Sequence, residues 1–453
     1  MSIASATPDV SPLQQPKRLV SLDAYRGFTM LFLVSGAFGI KGTAQIAIKS
    51  FEVGSWQHST LAFLQYQFSH PNWLGFSLWD LIQPSFMFLV GTSMAYSYAK
   101  RAARGDSYRQ LLGHAIYRSI FLILLGVFLR SNPSDWNRVT MTRWTFEDVV
   151  SQIGLGYVFL FLLWNRSRQV QIGAVVFILV GYWALFVGPS IPEETPDQLL
   201  KGFGAHWNPY NNPANEFDRW FLNLFPREYV FTEHKYNTLN FIPSLATMIL
   251  GLIAGEILRS GRTDREKIRT LVVAGISGVA LAFLLDPARS LPLLFNAAEW
   301  LGIVVVPQEE AARLATWSLC PISKMAWTPT WVLYSGGIAT LLLAGSYALI
   351  DAGDWKRPRW LSWAIFPGLV FGVNSIAAYV MSGLMGKWIV ATIGRHGVAV
   401  VNWWNGEFGT TYESIFQMPL GPTFAPIVAN LARMTVIFLI LLWMYRRKIF
   451  LRI

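Results

Sequence analysis

His70-Pro-Asn-Trp73-Leu-Gly75-Phe-Ser-Leu-Trp-Asp80-Leu-Ile-Gln83-Pro84-Ser-Phe-Met-Phe-Leu-Val-Gly91 begins as a polar, aromatic loop and runs without interruption into an apolar segment. Read onward to Tyr98, that segment is long enough to cross a bilayer, and it carries a carboxylate and a proline over the boundary. An aspartate near hydrocarbon costs about 2.5 to 3.5 kcal/mol unless it faces a partner or a wet cavity, so Asp80 reads as a functional residue. Pro84 removes a backbone donor, which a membrane helix tolerates where neighbouring helices or a cavity wall satisfy the freed carbonyls. Asp80, Pro84, Met87 and Gly91 share one helical face, and small Gly91 lets another helix approach it.

The rest of the chain repeats the pattern. Of 453 residues, 53% are hydrophobic and 14% charged, with a mean hydropathy of +0.37, a balance that leaves too little charged surface for a water-soluble fold. The expectation is an all-α, polytopic membrane protein of about ten transmembrane helices, over residues 22–40, 78–98, 111–129, 149–164, 170–187, 241–258, 271–285, 332–350, 363–384 and 427–445. The 20 Trp, 31 Phe and 16 Tyr suit the two membrane interfaces, where amphipathic rings collect.

The net charge of +11 lies in short Lys/Arg runs between the apolar spans, around Lys100, Arg109, Arg166, Arg262, Lys356 and Arg446. These alternate connections share one side, which the positive-inside rule makes the cytoplasm, with both termini there. That pattern argues against nucleic-acid binding and for an integral plasma (inner) membrane protein. The opposite side receives long loops near 41–77, 189–239, 286–326 and 386–424, and His70 with them. Residues 1–17 read as a short disordered cytoplasmic tail without the apolar core of a signal peptide, ahead of a single membrane domain over 18–453. Cys320 is the only cysteine, so no intrachain disulfide and no cysteine metal cage can form, and no metal site is expected. Walker, dinucleotide-binding and His-Glu-x-x-His signatures are absent.

Polar groups inside the spans supply the remaining candidates. Asp23 and Arg26 are three apart on one helical face and can pair. With Arg118 and Glu256 they sketch a polar pocket open to the cytoplasm, suited to the phosphates of a nucleotide-like donor or else to a structural ion-pair network. Asn374 reads as a mid-span residue that either joins helices or orients a reacting group. His58, His206 and His234 share the outer side with His70. The outer segments His206-Trp-Asn-Pro-Tyr-Asn-Asn212 and Asp218-Arg-Trp220 mix aromatic faces with amides and a carboxylate, as saccharide sites do, or as an interfacial cap does.

The motif His70-x-x-Trp73-x-Gly75-x4-Asp80-x3-Pro84-x-Phe86-x-Phe88-x-x-Gly91 resembles the signature of the heparan-α-glucosaminide N-acetyltransferase family of multispan acyltransferases and its bacterial relatives. Arg18-Leu-Val-Ser-Leu-Asp23-Ala-Tyr-Arg26-Gly27, Phe241-Ile-Pro243 through Gly251 and Gly255, Pro321-Ile-Ser-Lys324-Met-Ala-Trp327 and Pro367 through Asn374-Ser375 are similar to further family blocks, in the expected order. The resemblance implies transfer of an acetyl group from cytoplasmic acetyl-CoA to an amino sugar or other saccharide acceptor on the far side of the membrane. It carries the catalytic histidine to His70 and the membrane acid to Asp80. His70 is then general base or acyl carrier. Asp80 orients the imidazole, and Asn374 or Lys324 steadies the oxyanion. Asp23, Arg26, Trp73, Gln83 and Arg118 complete the expected donor and substrate contacts. The chain departs from the family's animal members on the acceptor side, at Ser35-Gly36-Ala37-Phe38 and at Tyr236-Asn-Thr-Leu-Asn240, which leaves the acceptor open. The rival reading is a secondary transporter or exporter of a small polar or sugar-like substrate, with Asp80, Arg26 and Asn374 along its path. Both a monomer and a homodimer fit the sequence.

Overall fold

A computed structural model describes residues 19–131, 141–190, 199–288, 290, 318–353, 358–405, 415–417 and 420–451. The expected disordered tail, 1–17, and most of the expected loop over 286–326 lie outside the described residues. Among those described, the regular elements are helices, and β structure is limited to one bridge between Gly75 and Ser323. The α-helices are α1 Val20–Val34, α2 Ile40–Ala47, α3 Trp56–Gln67, α4 Ile82–Ala102, α5 Tyr108–Ser131, α6 Val149–Leu163 and α7 Arg168–Val187. They continue with α8 Pro213–Phe221, α9 Phe241–Arg259, α10 Asp264–Leu285, α11 Pro329–Ile350, α12 Arg359–Val373, α13 Ser375–Asn405 and α14 Ala425–Arg446.

The expected all-α membrane bundle is what folds. Among the described residues seven helices, α5, α7, α9, α10, α11, α13 and α14, are long and apolar enough to cross a bilayer, and the bent α1–α2 pair makes an eighth. The expected number was about ten. The 15-residue helices α6 and α12 fall short of the roughly 20 residues a span needs. In α4, Gln83, Ser85, Thr92, Ser93 and the terminal Lys100-Arg101 dilute the hydropathy.

Three expected boundaries are corrected. Residues 22–40 are not one straight span: Ala37 and Phe38 take left-handed backbone at φ 50° and 56°, and the chain bends by 46° after α1. Residues 363–384 are not one span either, because the chain breaks at Asn374, between α12 and α13. Residues 386–405, expected to open a loop, continue α13 as helix. Apolar composition marks where chain can be buried but does not register a break made by backbone dihedrals.

The bundle packs through small residues. A methyl group on Gly91 of α4 would stand 1.8 Å from the Met248 carbonyl oxygen, and one on Gly251 of α9 would stand 1.9 Å from that of Phe88. These two helices therefore touch backbone to backbone, the geometry small residues permit in a membrane. Around that seam Met87, Met94, Tyr98, Tyr157, Met248, Leu252, Trp327 and Trp331 form the largest buried cluster. α5 lies on α6, α10 on α11 and α1 on α12.

The helix ends gather at two poles. α4, α9 and α11 begin at one pole, next to His70, Asn240 and Lys324; α4 and α9 end at the other in Lys100-Arg101 and Arg259. At that second pole Asp351 closes the start of α1, accepting the Ser21 N–H at 2.7 Å and the Val20 N–H at 3.4 Å. It occupies the place of an N-cap for the donors a helix start leaves open.

Candidate active site

The loop that carries His70 is pinned from both ends before it enters α4. Trp73, buried at 3% exposure, donates its indole N–H to the Trp207 carbonyl at 2.7 Å, and its own carbonyl accepts the Ser323 hydroxyl at 2.6 Å. Gly75 then donates to the Ile322 carbonyl at 2.9 Å with φ +95°, a conformation that a side chain at this position would strain. Residues 73–75 thus lie along residues 322–323, and this pairing brings Lys324 to the start of α4.

The turn that enters α4 is built on Ser77-Leu-Trp-Asp80, with the serine-to-acid spacing of a capping box. The Ser77 hydroxyl donates to the Ser69 carbonyl at 2.7 Å and lies 3.1 Å from Asp80 Oδ2, and the Asp80 N–H reaches Ser77 Oγ at 3.3 Å. Asp80 is 1% exposed. Its Oδ1 lies 2.6 Å from His70 Nδ1 and 3.1 Å from Lys324 Nζ. Lys324 stands 3.4 Å from the same imidazole nitrogen. An acceptor oxygen at 2.6 Å favours the tautomer with its proton on Nδ1, which would leave Nε2 as the acceptor on a side chain that is 42% exposed.

Lys324 is almost wholly buried. Burial pushes its ammonium below the usual lysine range, while Asp80 holds it up. Its Nζ also sits 5.7 Å from the centre of the Tyr236 ring, a cation–π distance. The Tyr236 phenol is driven well above its ordinary value, first by burial and then by the Asp80 charge. A fixed base, a buried acid and a buried cation in one cluster can deprotonate a nucleophile and steady a developing oxyanion.

Of the residues singled out in the sequence, the structure brings together His70, Asp80 and Lys324, with Trp73 as the anchor of their loop. Gln83 lies one turn further along α4 and donates to Gln152 of α6 at 3.3 Å. Arg26 lies 3.7 Å from Asp23, donates to Ser93 of α4 at 2.8 Å and reaches the Gly372 carbonyl of α12 at 3.5 Å. Arg118 instead stacks over Tyr157 of α6 at 4.9 Å, and Glu256 accepts from Gln171 of α7 at 3.0 Å. The pocket expected around Arg26, Arg118 and Glu256 is thus divided among different helix contacts.

Asn374 is a further correction. It sits at the break between α12 and α13, donates to the Ile449 carbonyl and accepts the Leu451 N–H, each at 3.0 Å. Its amide holds the C-terminal chain rather than the His70 cluster. The remaining outer-loop histidines are placed elsewhere: His206 packs edge-on to Phe203, and His234 accepts the Tyr236 N–H at 3.2 Å. Among the described residues no group of three His, Cys, Asp or Glu side chains gathers around a metal-sized centre. Ser77 escaped the sequence reading, and Tyr236 entered it only as part of the departure over residues 236–240. The capping-box spacing of Ser77 was a usable signal, whereas nothing local ties Tyr236 to Lys324.

Comparison with known proteins gives a relative that covers most of the chain. Human heparan-alpha-glucosaminide N-acetyltransferase is 23% identical over 410 residues, which is 81% of this chain and 52% of the human protein. The mouse protein of the same name is 33% identical over 95 residues, 20% of this chain and 14% of its own length. The chain spans about half the length of the human protein. No family model matches it.

Proposed function

We propose that this relative of the heparan-alpha-glucosaminide N-acetyltransferases is a membrane acetyltransferase. It moves an acetyl group from acetyl-CoA to the amine of a glucosamine-type acceptor, with His70 as the general base. The observation that carries the reading is the 2.6 Å contact between His70 Nδ1 and buried Asp80, which aims Nε2 outward. His70 Nε2 takes the proton of the attacking amine as the new N–C bond forms. The thioester C–S bond breaks, and the proton is passed on to the leaving thiolate. Lys324, held 3.1 Å from Asp80 Oδ1, is assigned the role of offsetting the charge that develops on the carbonyl oxygen. Deprotonation by such a base contributes about 10²- to 10⁴-fold to the rate.

The donor seat that best fits is Arg26 with Ser93. From Ser93 to Asp80 is about 20 Å along α4 at 1.5 Å per residue, a span that an extended pantetheine arm bridges. A guanidinium at that depth suits the phosphates of the nucleotide end. Lys/Arg runs flank this pole and favour the cytoplasm for it, with His70 on the far side of the membrane.

Sealed vesicles test the whole scheme. Radiolabelled acetyl-CoA supplied on the Arg26 side is expected to label glucosamine supplied on the His70 side, and His70→Ala is expected to abolish the label. Full transfer by His70→Ala would remove the histidine from the mechanism.

A further inference from the structure

α14 carries an arginine within its membrane-spanning length. Arg433 is eight residues into the helix, about 12 Å from its start, and it lies against the bend that follows α1. A methyl group on Gly36 of that bend would stand 2.6 Å from Arg433 Nη2 and 2.8 Å from Asn430 Oδ1, and one on Gly386 of α13 would stand 3.3 Å from Arg433 Cδ. The two glycines thus make room for the side chain, which runs between the bend and α13 instead of reaching along α14 toward water. α1 starts at the pole of Asp351, so its far end belongs to the pole of His70, and Phe32 lies 6.0 Å from Phe68, two residues before the histidine.

Among the described residues Arg433 makes no hydrogen bond and has no carboxylate within ion-pair distance. Its Nε is buried without a partner, while the terminal nitrogens stay accessible on a half-buried side chain. The last carbonyls of α1 are taken locally: those of Leu31 and Leu33 accept from the Ser35 and Gly36 N–H groups, and that of Phe32 from the Ser35 hydroxyl. α2, α13 and α14 contain no Asp or Glu, whereas Lys41, Lys387 and Arg395 add to the positive charge. A cation at membrane depth is costly without a counter-charge and marks a functional site by default. Nor do these cations serve as topology signals, since they lie away from the pole where Lys100, Arg259 and Arg446 collect.

The neighbouring surface selects the anion. Met385 and Trp388, on either side of Gly386 in α13, are 36% and 61% exposed, and Leu431 of α14 is 38% exposed. A small soluble anion gains nothing from that apolar surface, whereas an amphiphile covers it with its chains while its headgroup meets the cations. Phosphate oxygens match the fork of a guanidinium.

We propose that Arg433, with Lys387 of α13 as a second cation, binds the phosphate of an anionic membrane lipid between the α1 bend, α13 and α14, the lipid's chains lying along Met385, Trp388 and Leu431. The site is independent of the acetyltransferase reading, and binding alone tests it. The full chain in a nonionic detergent is titrated with phosphatidylglycerol and followed by native mass spectrometry, with phosphatidylcholine and inorganic phosphate as comparison probes. The parent is expected to take up one phosphatidylglycerol saturably and to hold it more tightly than phosphatidylcholine, whose choline group the cations repel. Arg433→Gln is expected to weaken that binding about tenfold through loss of the charge-assisted pair. Arg433→Lys is expected to fall between the parent and Arg433→Gln, because an ammonium keeps the charge without the fork. Lys387→Gln changes an exposed side chain, leaves the packing as it is, and is expected to weaken binding by a smaller factor. Inorganic phosphate in excess is expected to leave the lipid bound. The proposal is overturned if the parent shows no preference for the anionic lipid, if Arg433→Gln and Lys387→Gln both bind as the parent does, or if inorganic phosphate displaces the lipid.

Discussion

Asp80→Asn is the sharpest test of the coupling between His70 and Asp80. The carboxylate holds the imidazole proton on Nδ1 from 2.6 Å. An asparagine amide in that place can present its NH₂ to Nδ1 instead, which moves the ring proton to Nε2 and removes the base. In other carboxylate–imidazole pairs a base held in the wrong tautomer loses about 10⁴ in rate. Outright removal of the base by His70→Ala is expected to lose about 10² to 10⁴, or about 3 to 5 kcal/mol of barrier. The two residues act on one proton, so His70→Ala/Asp80→Asn is expected to be no slower than the slower single variant. Independent contributions would multiply to about 10⁶ to 10⁸. The fold should survive Asp80→Asn, because burial already disfavours the Lys324 ammonium and removal of Asp80 lets that amine go neutral. Initial rates of acetyl transfer to glucosamine, measured on monodisperse protein for all four members of the cycle, decide the matter. Multiplicative losses, or an Asp80→Asn variant at full rate, would refute the shared-proton argument.

Three further outcomes follow from other contacts. Lys324→Met leaves Asp80 buried with only Ser77 and His70 to face, and breaking a buried pair costs about 3 to 5 kcal/mol; the thermal midpoint is expected to fall by several degrees and to recover in Asp80→Asn/Lys324→Met, and a double variant no better than the single would mean the pair is not the cause. Glu147, at the entrance to α6, is held above its ordinary 4.5 first by burial, against the pull of Arg130 at 3.9 Å. The folded state therefore keeps this proton to higher pH than the unfolded chain, and stability is lost as pH rises from 4.5 through the folded value. Glu147→Gln is expected to match the parent in thermal midpoint at pH 4 and exceed it at pH 8, so a gap that stays constant with pH would count against the assignment. Gly251→Val would drive a side chain into the Phe88 carbonyl, part α4 from α9 and lower the thermal midpoint more than Gly261→Val, whose site has open space around it; equal effects would show that the seam is loose.

The parts of this fold legible in the sequence are those set by local chemistry. Uninterrupted apolar runs located α5, α7, α9, α10, α11 and α14 because lipid forces each backbone donor to be satisfied within its own helix. Asp80 stood out because an acid at the head of an apolar run is costly without a partner, whereas His70, which meets it at 2.6 Å, was singled out through the family resemblance rather than by spacing. The bend after Val34 and the break at Asn374 were not, since both lie in apolar surroundings and are fixed by backbone dihedrals and long-range partners. Asn374 is instructive: a polar side chain in the middle of an apolar run suggested a reacting group, but its amide pairs with residues 449 and 451 at the far end of the chain.

Lys324 shows why the site itself is assembled from distance in sequence. It lies 244 positions after Asp80, in a loop whose composition alone marks nothing and which stood out only through the family resemblance. What brings it in is the register of residues 73–75 along residues 322–323, held by the Gly75 N–H and the Ser323 hydroxyl. That register also completes the surroundings of Asp80. With Lys324 Nζ 3.1 Å from Oδ1 and the Ser77 hydroxyl 3.1 Å from Oδ2, the carboxylate is placed as an acceptor toward His70 Nδ1. A one-residue slip of the bridge would turn Lys324 to the opposite side of the strand-like segment, since side chains alternate in extended chain. The carboxylate would then keep Ser77 and His70 but lose its cation, so the short pairing at Gly75 is what positions the Lys324 charge beside Asp80.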